Sequence, residues 1–312
     1  MKNIILTYIF FFAIIYCHAQ PFFNKPPEIS LGPVNFNKEF IKQNKIKSIS
    51  VAIVDKPDGT VIIDKGATQG FEFDDKGRVT RYFYTILNRL VKEELKNKTY
   101  TYYINDTIFC NVFYDEKDKI IGKRIQTGDY YDAYYYEYNE LGQIKKELHC
   151  KETNLSENKK EFKLGVQTVL SSETFEYIKL TNTQTKKRFL NDEGREYKKA
   201  IINSDEKGNI LSENYEFIVG WMKQENKYSY NNKNQLIEYV LKSNENGDIN
   251  KTSTYEYNEK GNTITEKRFV KNVLLNEVSY LYDETNTFAK SHLNRDFKNA
   301  SIGIVKYSYS FH

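Results

Sequence analysis

The chain is poor in the residues that most often carry chemistry: its 312 residues include four His, three Cys, two Met and a single Trp. It contains no HExxH helix, GxSxG elbow, CxxC pair, P-loop or GxGxxG turn, so the sequence points to no metal, no cofactor and no nucleophile site. His149 precedes Cys150, but neighbours on a strand face opposite ways and cannot work as a dyad. Proline is scarce as well. All five lie at or before Pro57, which leaves every later segment fit for the interior of a β-ladder. Nor does one sign of charge dominate: 46 Lys plus Arg face 42 Asp plus Glu, a net +4. The two signs alternate, as in Lys145-Lys146-Glu147 and Glu266-Lys267-Arg268, which excludes the clustered basic footprint of a nucleic-acid binder.

The one long apolar run is Ile4 to Tyr16, behind Lys2 and ahead of Cys17-His18-Ala19. It is shorter than the ~20 residues a spanning helix needs and reads as a signal peptide over 1–19, cleaved before Gln20. The mature chain is then expected to be periplasmic, surface-exposed or secreted, with no transmembrane segment. Residues 20–45 hold four of the five Pro and form a lead-in, with a short helix expected near 37–45. Cleavage leaves Cys110 and Cys150, either as a disulfide or as two buried thiols.

What the chain has in abundance is 26 Tyr and 20 Phe, and they recur in a template. The template runs aromatic, any, aromatic, Asn or Asp, two polar residues, Gly-like, any, apolar. It fits Phe71/Phe73/Asp74/Gly77/Val79, Tyr136/Tyr138/Asn139/Gly142/Ile144, Tyr228/Tyr230/Asn231/Asn234/Leu236 and Tyr280/Tyr282/Asp283/Asn286/Phe288. Tyr255/Tyr257/Asn258/Gly261 fits except for Thr263, and the turns at Asp115, Asp205 and Asn244 keep less of the aromatic part. Asp or Asn at the first position accepts from backbone two residues on, and Gly supplies positive φ after a type I turn. The template therefore predicts hairpins, with Gly77, Gly142, Gly208, Gly247 and Gly261 at the turns. Turn-opening residues at 191, 205, 231, 244, 258 and 283 lie 14, 26, 13, 14 and 25 apart, which predicts a strand-plus-turn unit of about 13 residues. Residues 46–312 thus read as an all-β antiparallel meander of roughly 20 strands, curled into a trough or barrel because so many strands cannot stay flat. The polar stretch 151–165 marks a candidate subdivision.

Tyr255-Glu256-Tyr257-Asn258-Glu259-Lys260-Gly261, Tyr136 to Gly142 and Phe71 to Gly77 resemble the tyrosine–aspartate (YD) repeats of the Rhs family of bacterial surface and toxin-delivery proteins. The resemblance implies a spiralling β-sheet and an extracellular setting. The expected function is that of a non-catalytic β-repeat scaffold or protein-binding module. A second reading is a module that binds a surface glycan through exposed rings of Tyr136, Tyr138, Tyr228, Tyr230, Tyr255 and Tyr257, and a third is a carboxylate-dependent hydrolase.

Overall fold

The computed structural model describes residues 36–95, 98–157, 161–244 and 247–312. The signal peptide over 1–19 and most of the 20–45 lead-in lie outside the described residues. The first described element is α1 (Lys38–Gln43), whose N-cap Asn37 accepts from the amides of Glu39 and Phe40.

Eighteen strands follow. They are β1 (Ile46–Pro57), β2 (Ile63–Phe73), β3 (Val79–Leu95), β4 (Lys98–Tyr114), β5 (Ile120–Thr127), β6 (Tyr130–Tyr138), β7 (Ile144–Asn154), β8 (Leu164–Lys179) and β9 (Gln184–Leu190). The second half holds β10 (Glu196–Ser204), β11 (Ile210–Phe217), β12 (Lys223–Tyr230), β13 (Leu236–Ser243), β14 (Ile249–Tyr257), β15 (Thr263–Val270), β16 (Val273–Tyr282), β17 (Ala289–Asp296) and β18 (Ser301–Phe311). Each pairs antiparallel with the next, and β18 pairs back onto β1 through Ile49↔Tyr309 and Val51↔Tyr307. The meander closes into a barrel, which leaves no sheet edge to pair with another chain. Across the candidate subdivision at 151–165, β7 and β8 pair as far as Asn154↔Leu164.

In a closed meander the turns alternate between two rims. Seven turns on one rim share one hydrogen-bond scheme, opened by Asp74, Asp115, Asn139, Asp205, Asn231, Asn258 and Asp283. Asp205 is representative: its Oδ1 accepts from the amides of Lys207 (2.9 Å) and Asn209 (2.8 Å), and the Gly208 amide donates to its carbonyl. Where glycine is absent, Asp118, Asn234 and Asn286 take the positive φ. The full template therefore recurs once per hairpin, about 26 residues, and the 13-residue spacing counts single strands.

The second aromatic of the template does work that its spacing alone does not reveal. Between successive hairpins the ladder stops short of this rim; β5–β6 ends at Gly122↔Tyr135 and β13–β14 at Glu238↔Thr254. Past those points a tyrosine hydroxyl donates to the carbonyl left over on the preceding hairpin. Tyr114 reaches Val79, Tyr138 reaches Ile120, Tyr230 reaches Ile210, Tyr257 reaches Leu236, Tyr282 reaches Thr263 and Tyr309 reaches Ala289. Each strap is worth about 1 kcal/mol and spares the wall an unpaired carbonyl.

The two faces of the wall differ. Ile49, Phe71, Tyr82 and Cys110 are cross-strand partners in turn, all below a tenth exposed. Among the described residues the only helix is α1, so no second layer hides this face, and it is the wall's own curvature, with Phe36, Phe40 and Ile41, that buries it. It is therefore the inner face. The outer face carries cross-strand charge, as in Lys199–Glu216 (2.9 Å) and Arg188–Glu196 (2.6 Å). Lysine or arginine at the middle of a lipid-facing wall costs ~2–4 kcal/mol each, so this exterior suits water.

Gly77 and Gly208 both have positive φ, +77° and +82°, but a Cβ at Gly77 would sit 2.3 Å from the Lys38 carbonyl of α1, whereas none would be met at Gly208. Gly208→Ala should cost about 1 kcal/mol from backbone strain alone. Gly77→Ala should cost at least about 2 kcal/mol, since α1 must also move, and urea melts of the two variants check the ranking. In the same melts Tyr257→Phe should cost about 1 kcal/mol by orphaning the Leu236 carbonyl.

Candidate functional site

The inner face is not uniformly apolar: besides the Glu213–Asn226–Tyr228 cluster of β11 and β12, two polar groups interrupt it on opposite sides of the ring. The first spans β5–β10. His149 stacks on Tyr134 with centroids 4.4 Å apart and planes 2° from parallel, and its Nε2 lies 3.2 Å from Asp132 Oδ1. The Lys123 ammonium sits 4.8 Å from the centre of the Tyr134 ring. One step along, Glu147 stands directly opposite Glu173 in the β7–β8 register, and Tyr197 donates to Glu173 at 2.7 Å. Burial and the facing Glu173 raise Glu147 above the usual carboxylate range. The second group spans β14–β18. Glu266 accepts both ends of the Arg268 guanidinium, at 2.7 and 3.1 Å, and His292 Nδ1 lies 2.8 Å from the Tyr307 hydroxyl. Burial, then Arg268, lowers His292 to about 4, so its imidazole is neutral at pH 7.

These groups could exchange protons or hold a polar ligand, but among the described residues no three of His, Cys, Asp and Glu come together as a metal-binding set. The six tyrosines singled out in the sequence belong to the wall. Tyr136 is 5% exposed, the hydroxyls of Tyr138, Tyr230 and Tyr257 are the rim straps, and Tyr228 donates to Glu213 at 2.8 Å. Tyr255 is half-buried beside Glu266, and burial pushes both Tyr255 and Tyr257 up to about 12. The six rings face the concave side, where Tyr136 is buried and the other five are half-buried.

Of the two alternatives for the cysteines, the structure shows the buried thiols. Cys110 on β4 and Cys150 on β7 are both buried and free. Three strand spacings, about 14 Å, separate their strands, and Cys150 pairs with Ala133 on the outer-face parity while Cys110 pairs with inward Tyr82. That exceeds the ~7 Å limit for a bridge. Burial raises the Cys110 thiol to about 11 and raises Cys150 as well, which leaves both unreactive.

Sequence reasoning missed a buried charge on the outer face. Glu152, fully buried, accepts from Arg124 Nε (2.6 Å), the Tyr135 hydroxyl (2.5 Å) and Gln167 Nε2 (2.7 Å). The Arg124 guanidinium lies 3.7 Å from the centre of the Phe162 ring, which also meets Tyr131 edge-on. Nothing in the local pattern Cys150-Lys151-Glu152 marks it, because its partners come from three other strands and a loop.

No protein-family model and no curated protein matches the chain. Among solved structures, a porin-like protein from Bacteroides uniformis aligns over 86% of this chain and 97% of its own, at 11% identity and a TM-score of 0.38. A porin-like protein from Bacteroides vulgatus aligns over 71% and 97%, at 11% identity and a TM-score of 0.26. The complex TcdB2-TccC3-TEV aligns over 79% of this chain and 21% of its own, at 9% identity and a TM-score of 0.21.

The two inner groups should titrate with opposite signs. His292 is neutral when folded and protonates near pH 6.5 when unfolded, so stability should be full above about pH 6.5 and fall by about 3 kcal/mol as the pH drops to about 4. His292→Gln should flatten that slope in chemical melts run across the range. Glu147, with its raised value, is destabilising once ionised. Glu147→Gln should therefore raise Tm at pH 7 and lose that advantage below about pH 4.

Proposed function

We propose that the chain is an exported, non-catalytic β-barrel of the YD-repeat kind that serves as a scaffold or presents its surface to another protein. One observation carries the reading: the recurring side chains are spent on the wall itself. Tyrosine hydroxyls bind rim carbonyls, turn Asp and Asn bind amides of their own turns, and outer Lys and Glu pair with one another. A barrel whose repeats are consumed in this way offers rigidity and two distinct rims rather than a reacting centre. The apolar N-terminal run before Gln20 supports export, and the charged exterior supports a wall in contact with water.

The carboxylate-hydrolase reading has one specific pair to rest on, Glu147 and Glu173, since facing carboxylates with one raised pKa are the usual raw material of acid–base hydrolysis. The two readings separate in one assay. Purified protein should show no turnover above background on chromogenic glycosides and esters between pH 4 and 8, where carboxylate pairs act. Turnover that is lost in both Glu147→Gln and Glu173→Gln would overturn the non-catalytic reading.

A further inference from the structure

The two rims are built differently. On the tyrosine rim the template turns are polar, and Leu141 is the one strongly exposed apolar residue at their tips among the described residues. On the opposite rim the β9–β10 turn repeats the polar scheme at Asn191, but four other tips carry exposed apolar side chains. Between β1 and β2 stand Val61, 80% exposed, and Ile62; between β11 and β12 stand Val219, 84%, and Trp221, 89%. Val273 at the β15–β16 turn and Phe297 at the β17–β18 turn are exposed as well. The only Trp of the chain is thus its most exposed large apolar side chain among the described residues.

Trp221 is not on a loose tip. The Ile218 amide donates to Tyr197 carbonyl at 2.9 Å, Asn244 Nδ2 donates to the Trp221 carbonyl at 2.6 Å, and the Lys223 amide donates to Asn244 Oδ1 at 2.7 Å. Backbone on both sides of the hairpin is therefore tied to neighbouring strands while the indole faces solvent. Folding gains nothing from such exposure, and a rigidly held, exposed Trp is characteristic of a docking group.

Charge fits one kind of partner. Each of the four tips carries an exposed lysine: Lys56, Lys223, Lys271 and Lys298. Of the acids beside them, Asp58 is held by both ends of the Arg295 guanidinium, and Asp296 accepts from the Asn299 amide of its own turn. The tips extend over eight strand spacings of the ring, from β11–β12 round to β1–β2, without forming one continuous patch. A protein interface gathers apolar groups into a core and keeps lysine out of it. A bilayer surface accepts separated apolar tips in one plane, places Trp at the headgroup level and lets lysine reach the phosphates.

We propose that this rim docks on an anionic bilayer surface, with Trp221 and Val219 entering the headgroup layer and Lys56, Lys223, Lys271 and Lys298 meeting lipid phosphate. The inference concerns a rim that the scaffold reading does not use, and it stands whether or not the barrel also holds a protein. The sole Trp makes the test direct. The full chain is mixed with phosphatidylcholine vesicles, with or without a third of phosphatidylglycerol, while Trp emission and co-sedimentation are followed. Anionic vesicles should shift the emission to the blue and carry the protein down, less so at high salt.

Val219→Ser with Trp221→Ala should weaken co-sedimentation about tenfold or more, as the loss of buried apolar area implies, and Lys271→Glu should weaken it several-fold. Leu141→Ser, on the other rim, should leave binding unchanged. All of these side chains are exposed, so thermal melts of the variants should match the parent. Emission that does not move with anionic vesicles would overturn the proposal. So would co-sedimentation undiminished in the Val219/Trp221 variant, which would assign any lipid binding to another segment such as the apolar N-terminus. A shift produced by a protein partner and by no vesicle would overturn it equally.

Discussion

A single-layer wall that closes on itself must satisfy its backbone at two rims without help from a second layer, and the rest of the structure follows from how it does so. Antiparallel strands twist, so neighbouring hairpins diverge as they approach a rim and the ladder between them runs out. The leftover carbonyls could be solvated, at the cost of a frayed end. Here a tyrosine takes six of them, with its ring on the inner side between hairpins and its hydroxyl closing the bond. Phenylalanine would place the same ring there and leave the carbonyl unpaired, which gives a physical reason for tyrosine to lead an already aromatic chain.

The same constraint explains why so little of the protein is fully buried. Strands such as β13 and β14 show half-buried residues on both faces, since neighbours on the same face cover one another and nothing lies on top. An eighteen-strand ring is of the size that encloses space rather than a packed centre. Polar groups such as Glu147, Glu173 and His292 can therefore sit on the inner face without the full penalty of a dry core, and the shifted titrations of Glu147 and His292 report partial burial. Two sectors pack as conventional cores: one around α1, where Phe36 and Phe40 meet Phe71, Phe73 and Phe288, and one across β6–β10, where Tyr136, Ile144, Phe175, Phe189 and Ala200 are buried together.

The architecture was largely legible because turn chemistry is local. Asp205 and Gly208 specify their hairpin from four residues of sequence, and the alternating rings specify a strand face. What was not legible depends on distance along the chain. Closure rests on β1 meeting β18, some 250 residues apart, and no local pattern encodes it. The tyrosine straps join hairpins about 20 residues apart, so the rings announced themselves while their hydroxyl partners did not. Cys110 and Cys150 were separable only once the number of strands between them and their faces were fixed. Trp221 was overlooked for the opposite reason. A single Trp in a tyrosine-rich chain carries no periodicity, and its importance lies wholly in its exposure.

The two rims thus divide the labour. The tyrosine rim is bound by its repeat: where a strap is present, a tyrosine beside one turn takes a carbonyl of the preceding hairpin, so a change at one turn is felt at its neighbour. Arg78 of the first turn reaching Asp118 of the second at 2.7 Å, and Asn262 of the β14–β15 turn donating to the Asn286 carbonyl at 2.7 Å, tighten that coupling further. Turns on the opposite rim carry no such obligation, and their lengths and residues differ from one to the next. A rim free of structural duty can afford exposed apolar tips, and it is there that the chain's one tryptophan stands.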